Sequence, residues 1–509
     1  MCGIAAIYAD PSRSLDDEAA ALGRRMLGRL VHRGPDGEGE VRLDHAWLGH
    51  RRLSIVDLEG GRQPLVTRER DWFLVGNGEV YNHQHLRGRM GDAHFVTDSD
   101  NEVALQLLDQ HCADSLWSMR GMYAFVAASP DGNMVATRDP VGIKPLFWAR
   151  RDGLVAFSSE VKAFDEDWQK DVELFPPGYY WTPGKGLVRF REPVPDMTFD
   201  HVLPPELPDS PVPDELRSLI RHRLVAAVER EMMADVPVGV FLSGGLDSSL
   251  IAAIAAEVAK QPLHTFAVGT PDSADLAAAR VVAEHLGTEH HERVYEPAEL
   301  QALLPDVIRS IESYDPSLVR SALPNYLLAE LASRTVKVVL TGEGADELFA
   351  GYEYVRAITD EAELQDELVR TVEELHSLNL QRCDRVTMAH GLEARVPFLD
   401  LDMIALGVAL PAEWKLTGPG QPEKRLLREA FEGWLPDEIL WREKAQFGDG
   451  SGARAALGDD DNGLEDPHEA IVSSDGDPRT EEEARYAELY RERYPKVSPE
   501  RTMSLFATA

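Results

Sequence analysis

Apolar positions change rhythm partway along the chain. Up to about residue 200 they come in short runs broken by turn residues, such as Trp72–Val75, Met134–Thr137 and Leu154–Phe157. Such runs predict a largely antiparallel sheet system with a few helices. Proline then crowds the segment Leu203–Pro213, which predicts a stiff extended linker. On its far side, helical stretches such as Leu216–Met232 alternate with short apolar runs such as Val238–Leu242 and Val336–Leu340. That alternation predicts a parallel sheet flanked by helices. Near the end, Gly458–Gly463 and Ser473–Pro478 are polar, acidic and turn-rich, and read as mobile loops. No internal repeat is present.

Length and charge narrow the picture. The 509 residues suffice for two to four domains with large cores. No run of about 18 apolar residues occurs, so no membrane-spanning helix is expected. The first residues lack the basic and apolar regions of a secretory signal. Lys and Arg number 52 against 88 Asp and Glu, a net charge of -36. Nucleic acids and anionic membranes are bound through basic patches, so neither is an expected partner. Two readings of the charge stay open: an acidic surface suited to high salt, where screening relieves self-repulsion, and an ordinary acidic enzyme. The cysteines, Cys2, Cys112 and Cys383, lie far apart in neither a disulfide framework nor a zinc pattern, which fits a reducing cytoplasm. Cys112 and Cys383 are expected as packed core thiols.

Cys2 is different. If the initiator Met is removed, one residue supplies a thiol nucleophile and an α-amine, whose reference pKa of roughly 7.7–8 lets it act as the thiol's base. Several later segments are too polar and glycine-rich for core: His32–Gly37, His50–Asp57, Asn77–Glu79 with Tyr81–Asn82, and Thr97–Asp100. A thiolate attacking an amide needs oxyanion donors, an anchor for the substrate's carboxylate and an acceptor for its ammonium. The Asn77 side chain and the Gly78 N–H can supply the first, Arg52 the second as a bidentate partner, and Asp100 the third. Taken singly, Arg52 also reads as a surface ion pair and Asn77–Gly78 as a plain β-turn.

Together these segments resemble the glutaminase domain of the class II, N-terminal-nucleophile glutamine amidotransferases, over residues 2 to about 200. The resemblance implies an α+β antiparallel sheet sandwich that releases ammonia from glutamine through a glutamyl thioester. It makes Cys2 the nucleophile and Asn77 and Gly78 the oxyanion hole. Arg52, Leu53, Ser54, Ile55, Val56, Asn77, Gly78, Glu79 and Asp100 would then bind glutamine.

The second half turns on Val238–Ser249, where an apolar strand enters a glycine turn and then a helix from about Asp247 to Val258. Helix N-terminal amides and a glycine nest make an anion site, and the glycine pair lets the backbone approach phosphates. Asp247 could hold Mg²⁺ on them. The loop is not a Walker motif. A second acidic loop, Thr341–Tyr352, follows another apolar run; its Asp346 could complete the Mg²⁺ site. Downstream lie Gly391–Asp400 and Trp441–Asp449, whose Lys444 could neutralise charge on a pyrophosphate leaving group. Without other context Lys444 reads as a solvated lysine.

This half resembles the PP-loop ATP pyrophosphatases, which cleave ATP to AMP and pyrophosphate to adenylate a substrate. Both halves in this order resemble the glutamine-dependent asparagine synthetases over nearly the full chain. The resemblance implies a glutaminase domain at 2–202, a linker at 203–213 and an α/β synthetase domain at 214–509. Leu242, Ser243, Gly244, Gly245, Leu246, Asp247, Ser248, Val268, Thr341 and Gly342 would bind ATP, with Glu343 and Lys444 catalytic and Asp247 and Asp346 at Mg²⁺. Thr341 stands where serine is common in the family and keeps the hydroxyl. The match after about residue 450 is weak. His290–His291 suggests a metal, but the segment is shared with the family and a structural role is expected. The substrates implied are glutamine, aspartate and ATP, in a cytoplasmic enzyme with ammonia carried internally; a homodimer is left open. Two alternatives stay open: an enzyme that amidates another carboxylate, and a regulatory protein with dead sites, which the intact Cys2, Asp247, Asp346 and Lys444 oppose.

Overall fold

The computed structural model describes residues 2–10, 13–69, 71–111, 113–195, 214–358, 360–415, 422–444, 450–453 and 479–505. The Leu203–Pro213 linker, Cys112, residues 445–449 of the Lys444 segment and both acidic loops read from the sequence lie outside them.

The first half is a four-layer sandwich. One six-stranded sheet runs from edge to edge through Val172–Leu174, Phe147–Arg151, Leu154–Ser158, Gly3–Ala9, Ala46–Arg52 and Gly37–Arg42. The other runs through Gly186–Arg189, Tyr179–Thr182, Met134–Arg138, Gly121–Ala128, Phe73–Val80 and Leu65–Val66. Alternation along Gly3–Ala9 explains the stacking. Ala5, Ile7 and Ala9 pack with Leu22 and Met26 of the helix Asp17–Gly28, while Ile4, Ala6 and Tyr8 pack with Val75, Ala124 and Val126 of the second sheet. Strand side chains alternate faces, so one segment buries both. Beyond the second sheet, Tyr123 and Phe125 meet Leu105 and Leu108 of the helix Glu102–His111.

The second half carries a five-stranded parallel sheet in the order Glu289–Val294, His264–Gly269, Val238–Phe241, Val338–Leu340, Glu393–Arg395. The chain leaves Val238–Phe241 toward one edge and returns on its other side as Val338–Leu340. Ligands of such sheets bind at this reversal, beyond the strands' carboxyl ends. The loops that start there are Leu242–Gly245 and Thr341–Gly344, both singled out by the sequence. Asp214–Glu231 is a helix and another spans Leu246–Val258, each within two residues of expectation, whereas the strand expected at Trp72–Val75 runs on to Val80.

Buried ions join the halves. Arg33, wholly inaccessible, donates to Glu160 at 2.7 Å and to Asp384 at 2.8 and 3.0 Å. Its Nε donates to the Cys2 carbonyl at 3.1 Å. The Val161 and Lys162 N–H groups donate to Glu312 at 3.1 and 2.7 Å, and Lys144 Nζ donates to the Ala394 carbonyl at 3.1 Å. Burial alone would raise the Glu160 and Asp384 carboxyls; His32, Lys162 and Arg33 at the first, and Arg33 and Arg385 at the second, hold both below the usual range instead.

Unfolded, these carboxyls titrate near about 4. Their stabilisation is therefore present in full above that value and lost as pH falls through the depressed folded values. Urea midpoints should hold from neutral pH to about pH 5 and fall steadily below it, and Asp384→Asn should shrink that fall while lowering stability by about 3–5 kcal/mol at neutral pH. An Asp384→Asn chain with wild-type stability and pH dependence would contradict this account of the interface.

Candidate active sites

The first site forms where the two sheets face each other. The Cys2 N–H donates to Asn77 Oδ1 at 2.9 Å. That contact fixes the Asn77 amide and leaves its Nδ2 buried with no hydrogen-bond partner among the described residues. Asn77 and Gly78 belong to the strand Phe73–Val80, so the plain turn reading is excluded. Gly78 has φ +144, and a Cβ there would lie 2.0 Å from the Met122 carbonyl oxygen. Only glycine fits the position, which sets its backbone beside the Asn77 amide. Cys2 Sγ lies 3.8 Å from the Leu53 carbonyl, and burial pushes the thiol up. The resting thiol is thus protonated and needs a base.

Arg52 donates to the carbonyls of Val56, Asp57 and Leu58 at 3.2, 2.6 and 3.0 Å, so part of its fork shapes the Leu53–Leu58 loop. The Ser54 N–H donates to Asp36 at 2.8 Å, and the Ile55 carbonyl accepts from Asp235 N–H at 2.9 Å, which ties the loop to the second half. Glu79 and Asp100 are buried beside each other. Burial pushes both carboxyls up, and for Glu79 the nearby Asp100 and Glu393 add to the effect. Asp100 accepts from Val80 N–H at 2.6 Å and from Asn101 Nδ2 at 2.9 Å. Arg395, 3.7 Å from Glu79, approaches from the parallel sheet.

The second site is a cavity of about 660 Å³ at the sheet reversal. Leu242, Ser243, Gly245, Leu246, Asp247, Ser248, Val268, Thr341, Gly342, Glu343, Asp346 and Lys444 all line it, as the sequence predicts. Gly244 does not line it; its φ is +75, and a Cβ would lie 2.5 Å from Ala278 Cβ, so it turns the loop. Ser243 Oγ and Ser248 Oγ meet at 3.0 Å, and Gly245 N–H donates to Ser243 Oγ at 3.3 Å. These contacts shape the loop ahead of the helix Leu246–Val258, whose first N–H groups have no intrahelical acceptor and form an anion site.

Opposite stands a charge cluster that sequence reasoning only half found. Lys424 Nζ lies 2.5 Å from Asp247 and 2.6 Å from Asp346, and Lys444 Nζ lies 2.5 Å from Asp346 and 2.9 Å from the Gly351 carbonyl. Lys424 is 2% exposed with a left-handed backbone at φ +54, yet nothing in its neighbourhood of the sequence marks it. Glu343 pairs with Arg382 at 2.5 Å. The residues suit magnesium, a hard cation taking oxygen ligands. Two carboxylates already share one cation, and Asp247 Oδ1 is buried with no hydrogen-bond partner among the described residues.

Removing Lys424 leaves Asp247 without its cation, whereas Asp346 keeps Lys444. Lys424→Met should cost about 1–3 kcal/mol of stability, and adding Asp247→Asn should restore part of the loss. Equal denaturation midpoints for wild type and Lys424→Met would refute the cluster's role.

The sequence profile described as asparagine synthase matches residues 219–362 and 356–496, and that described as glutamine amidotransferase domain matches residues 1–176. "Asparagine synthetase [glutamine-hydrolyzing] 2" of Arabidopsis thaliana is 36% identical over 537 aligned positions, covering 99% of this chain and 89% of the relative. A probable asparagine synthetase of Schizosaccharomyces pombe is 38% identical, covering 99% of this chain and 95% of the relative. A third relative, from Asparagus officinalis, is 38% identical over 89% of this chain and 78% of its own length. On these matches over nearly its whole length, the chain belongs to the glutamine-hydrolysing asparagine synthetases.

Proposed function

We propose that this enzyme makes L-asparagine from L-aspartate, ATP and glutamine, through β-aspartyl-AMP, with AMP, pyrophosphate and glutamate as the other products. The observation that carries the reading is the pairing of loops at the sheet reversal. Ser243–Ser248 offers anion-binding amides on one side, and Glu343, Asp346, Lys424 and Lys444 stand on the other. We assign residues 2–202 to the glutaminase and 214–509 to the synthetase.

In the glutaminase, the α-amine freed by loss of the initiator Met takes the Cys2 proton. The thiolate attacks the glutamine amide carbon, and Asn77 Nδ2 and the Gly78 N–H receive the oxyanion. The proton passes to the leaving nitrogen, ammonia departs, and water cleaves the thioester to glutamate. Arg52 holds the substrate's α-carboxylate, and Glu79 and Asp100 take its α-ammonium.

In the synthetase, Leu242 and Val268 border the adenosine, and the Ser243–Ser248 amides grip the β and γ phosphates with Thr341 and Gly342 alongside. The aspartate β-carboxylate attacks the α-phosphorus and pyrophosphate leaves toward Lys444 and Lys424. Asp247 and Asp346 would hold Mg²⁺, which supplies charge shielding on the phosphates. Ammonia then attacks the acyl carbon beside Glu343, and AMP leaves. Free ammonia protonates in water, so its transfer within one chain preserves the nucleophile.

Labelled ATP with aspartate and glutamine should yield AMP and asparagine one to one. ADP would overturn the adenylation, and AMP formed only with another carboxylate would move the acceptor. Cys2→Ala should abolish glutamine-dependent synthesis and spare the ammonia-dependent reaction; loss of both in a folded chain would break the division of labour. Lys444→Ala should lower both by about 10²–10³. Because the Glu79 and Asp100 carboxyls are raised when empty, an arriving ammonium favours their ionised forms. Calorimetry of glutamine binding to Cys2→Ala at mildly acidic pH should therefore register proton release, and heats independent of the buffer would contradict the assignment.

A further inference from the structure

The two outermost strands of the parallel sheet, Glu289–Val294 and His264–Gly269, pair with His264 opposite Glu289 and Phe266 opposite His291. Side chains alternate along a strand, so these four share one face while His290 and Glu292 take the other. The neighbouring histidines thus have separate fates. His290 is fully engaged, with Nδ1 at 2.9 Å from Thr265 Oγ1 and Nε2 at 3.1 Å from Glu292. This is the structural role the sequence suggests.

His291 instead converges with its face-mates. Its Nε2 lies 3.2 Å from His264 Nδ1, which lies 3.4 Å from a Glu289 carboxylate oxygen. One ligand atom from each residue falls within 4.8 Å of the others. His264 Nδ1 carries at most one hydrogen and cannot donate fully to both neighbours. A cation among the three takes one lone pair from each residue. With bonds of about 2.0–2.1 Å to nitrogen or oxygen, ligands around a tetrahedral ion stand roughly 3.3–3.4 Å apart. The two spacings from His264 match that edge length. Phe266 stacks on the His291 ring at 5.0 Å and 16°, which fixes its plane.

We infer that His264, Glu289 and His291 bind a divalent transition-metal ion of the zinc class, with water as the fourth ligand. Two imidazoles and one carboxylate suit zinc and not magnesium, which takes oxygen ligands in octahedral geometry. Glu289, its side chain 57% exposed, leaves the site open to water. His264 opens its strand, whereas Val268, near the strand's other end, lines the nucleotide cavity. The ion therefore clips an edge strand to its neighbour and takes no part in the chemistry.

Chelator-stripped full-length enzyme titrated with Co²⁺ should bind one equivalent with the visible bands of a tetrahedral site, displaceable by Zn²⁺. His264→Gln, His291→Gln and Glu289→Gln should each weaken binding by about tenfold or more. His290→Gln, one residue away on the opposite face, should bind like wild type. Zn²⁺ should raise the melting temperature of wild type and His290→Gln but not of Glu289→Gln, an exposed change that leaves the core untouched. Wild type without the Co²⁺ bands, or Glu289→Gln and His291→Gln with wild-type affinity, would overturn the inference.

Discussion

A single guanidinium holds the two chemistries in register. Arg33 is inaccessible to water and donates to the Cys2 carbonyl, to Glu160 of its own half and to Asp384 of the other. A buried charge is tolerated only when its partners surround it. Through Arg33 the Cys2 backbone is tied to Asp384 and so to the helix Asn379–Met388. That helix also carries Arg382, which grips Glu343. Two ion pairs and one helix thus connect the thiol's backbone to the far cavity.

The two sites handle charge in opposite ways. Beside Cys2, Glu79 and Asp100 are crowded together, and burial raises both carboxyls. In the synthetase, burial lifts the Asp247 carboxyl, whereas Asp346, flanked by Lys424 and Lys444, is held below the usual range despite its burial. The first arrangement leaves two carboxyls facing each other with their pKa values raised. The second sets lysines against its carboxylates. Local pairing sets both, whatever the overall net charge of -36.

Legibility followed sequence distance. The strand–loop–helix at Val238–Val258 could be read because its apolar run, glycines and helix are contiguous. Asn77–Gly78 could be read as an oxyanion hole only in company with Cys2, since alone it imitates a turn; the structure places it inside a strand. Arg33 and Asp384 stand 351 residues apart, and Lys424 and Asp247 177 apart, so no local pattern links them. His290–His291 misled differently: adjacency suggested one shared role, and the pleat sends the two rings to opposite faces.

Lys424 has a consequence for the chain's economy. Many sites built on paired aspartates are repulsive until a metal settles between them, so their folding is tied to metal supply. Here a covalently attached ammonium occupies that position from the outset. The paired aspartates of the empty site are compensated by the chain's own sequence, so holding them together between turnovers draws on no free divalent ion.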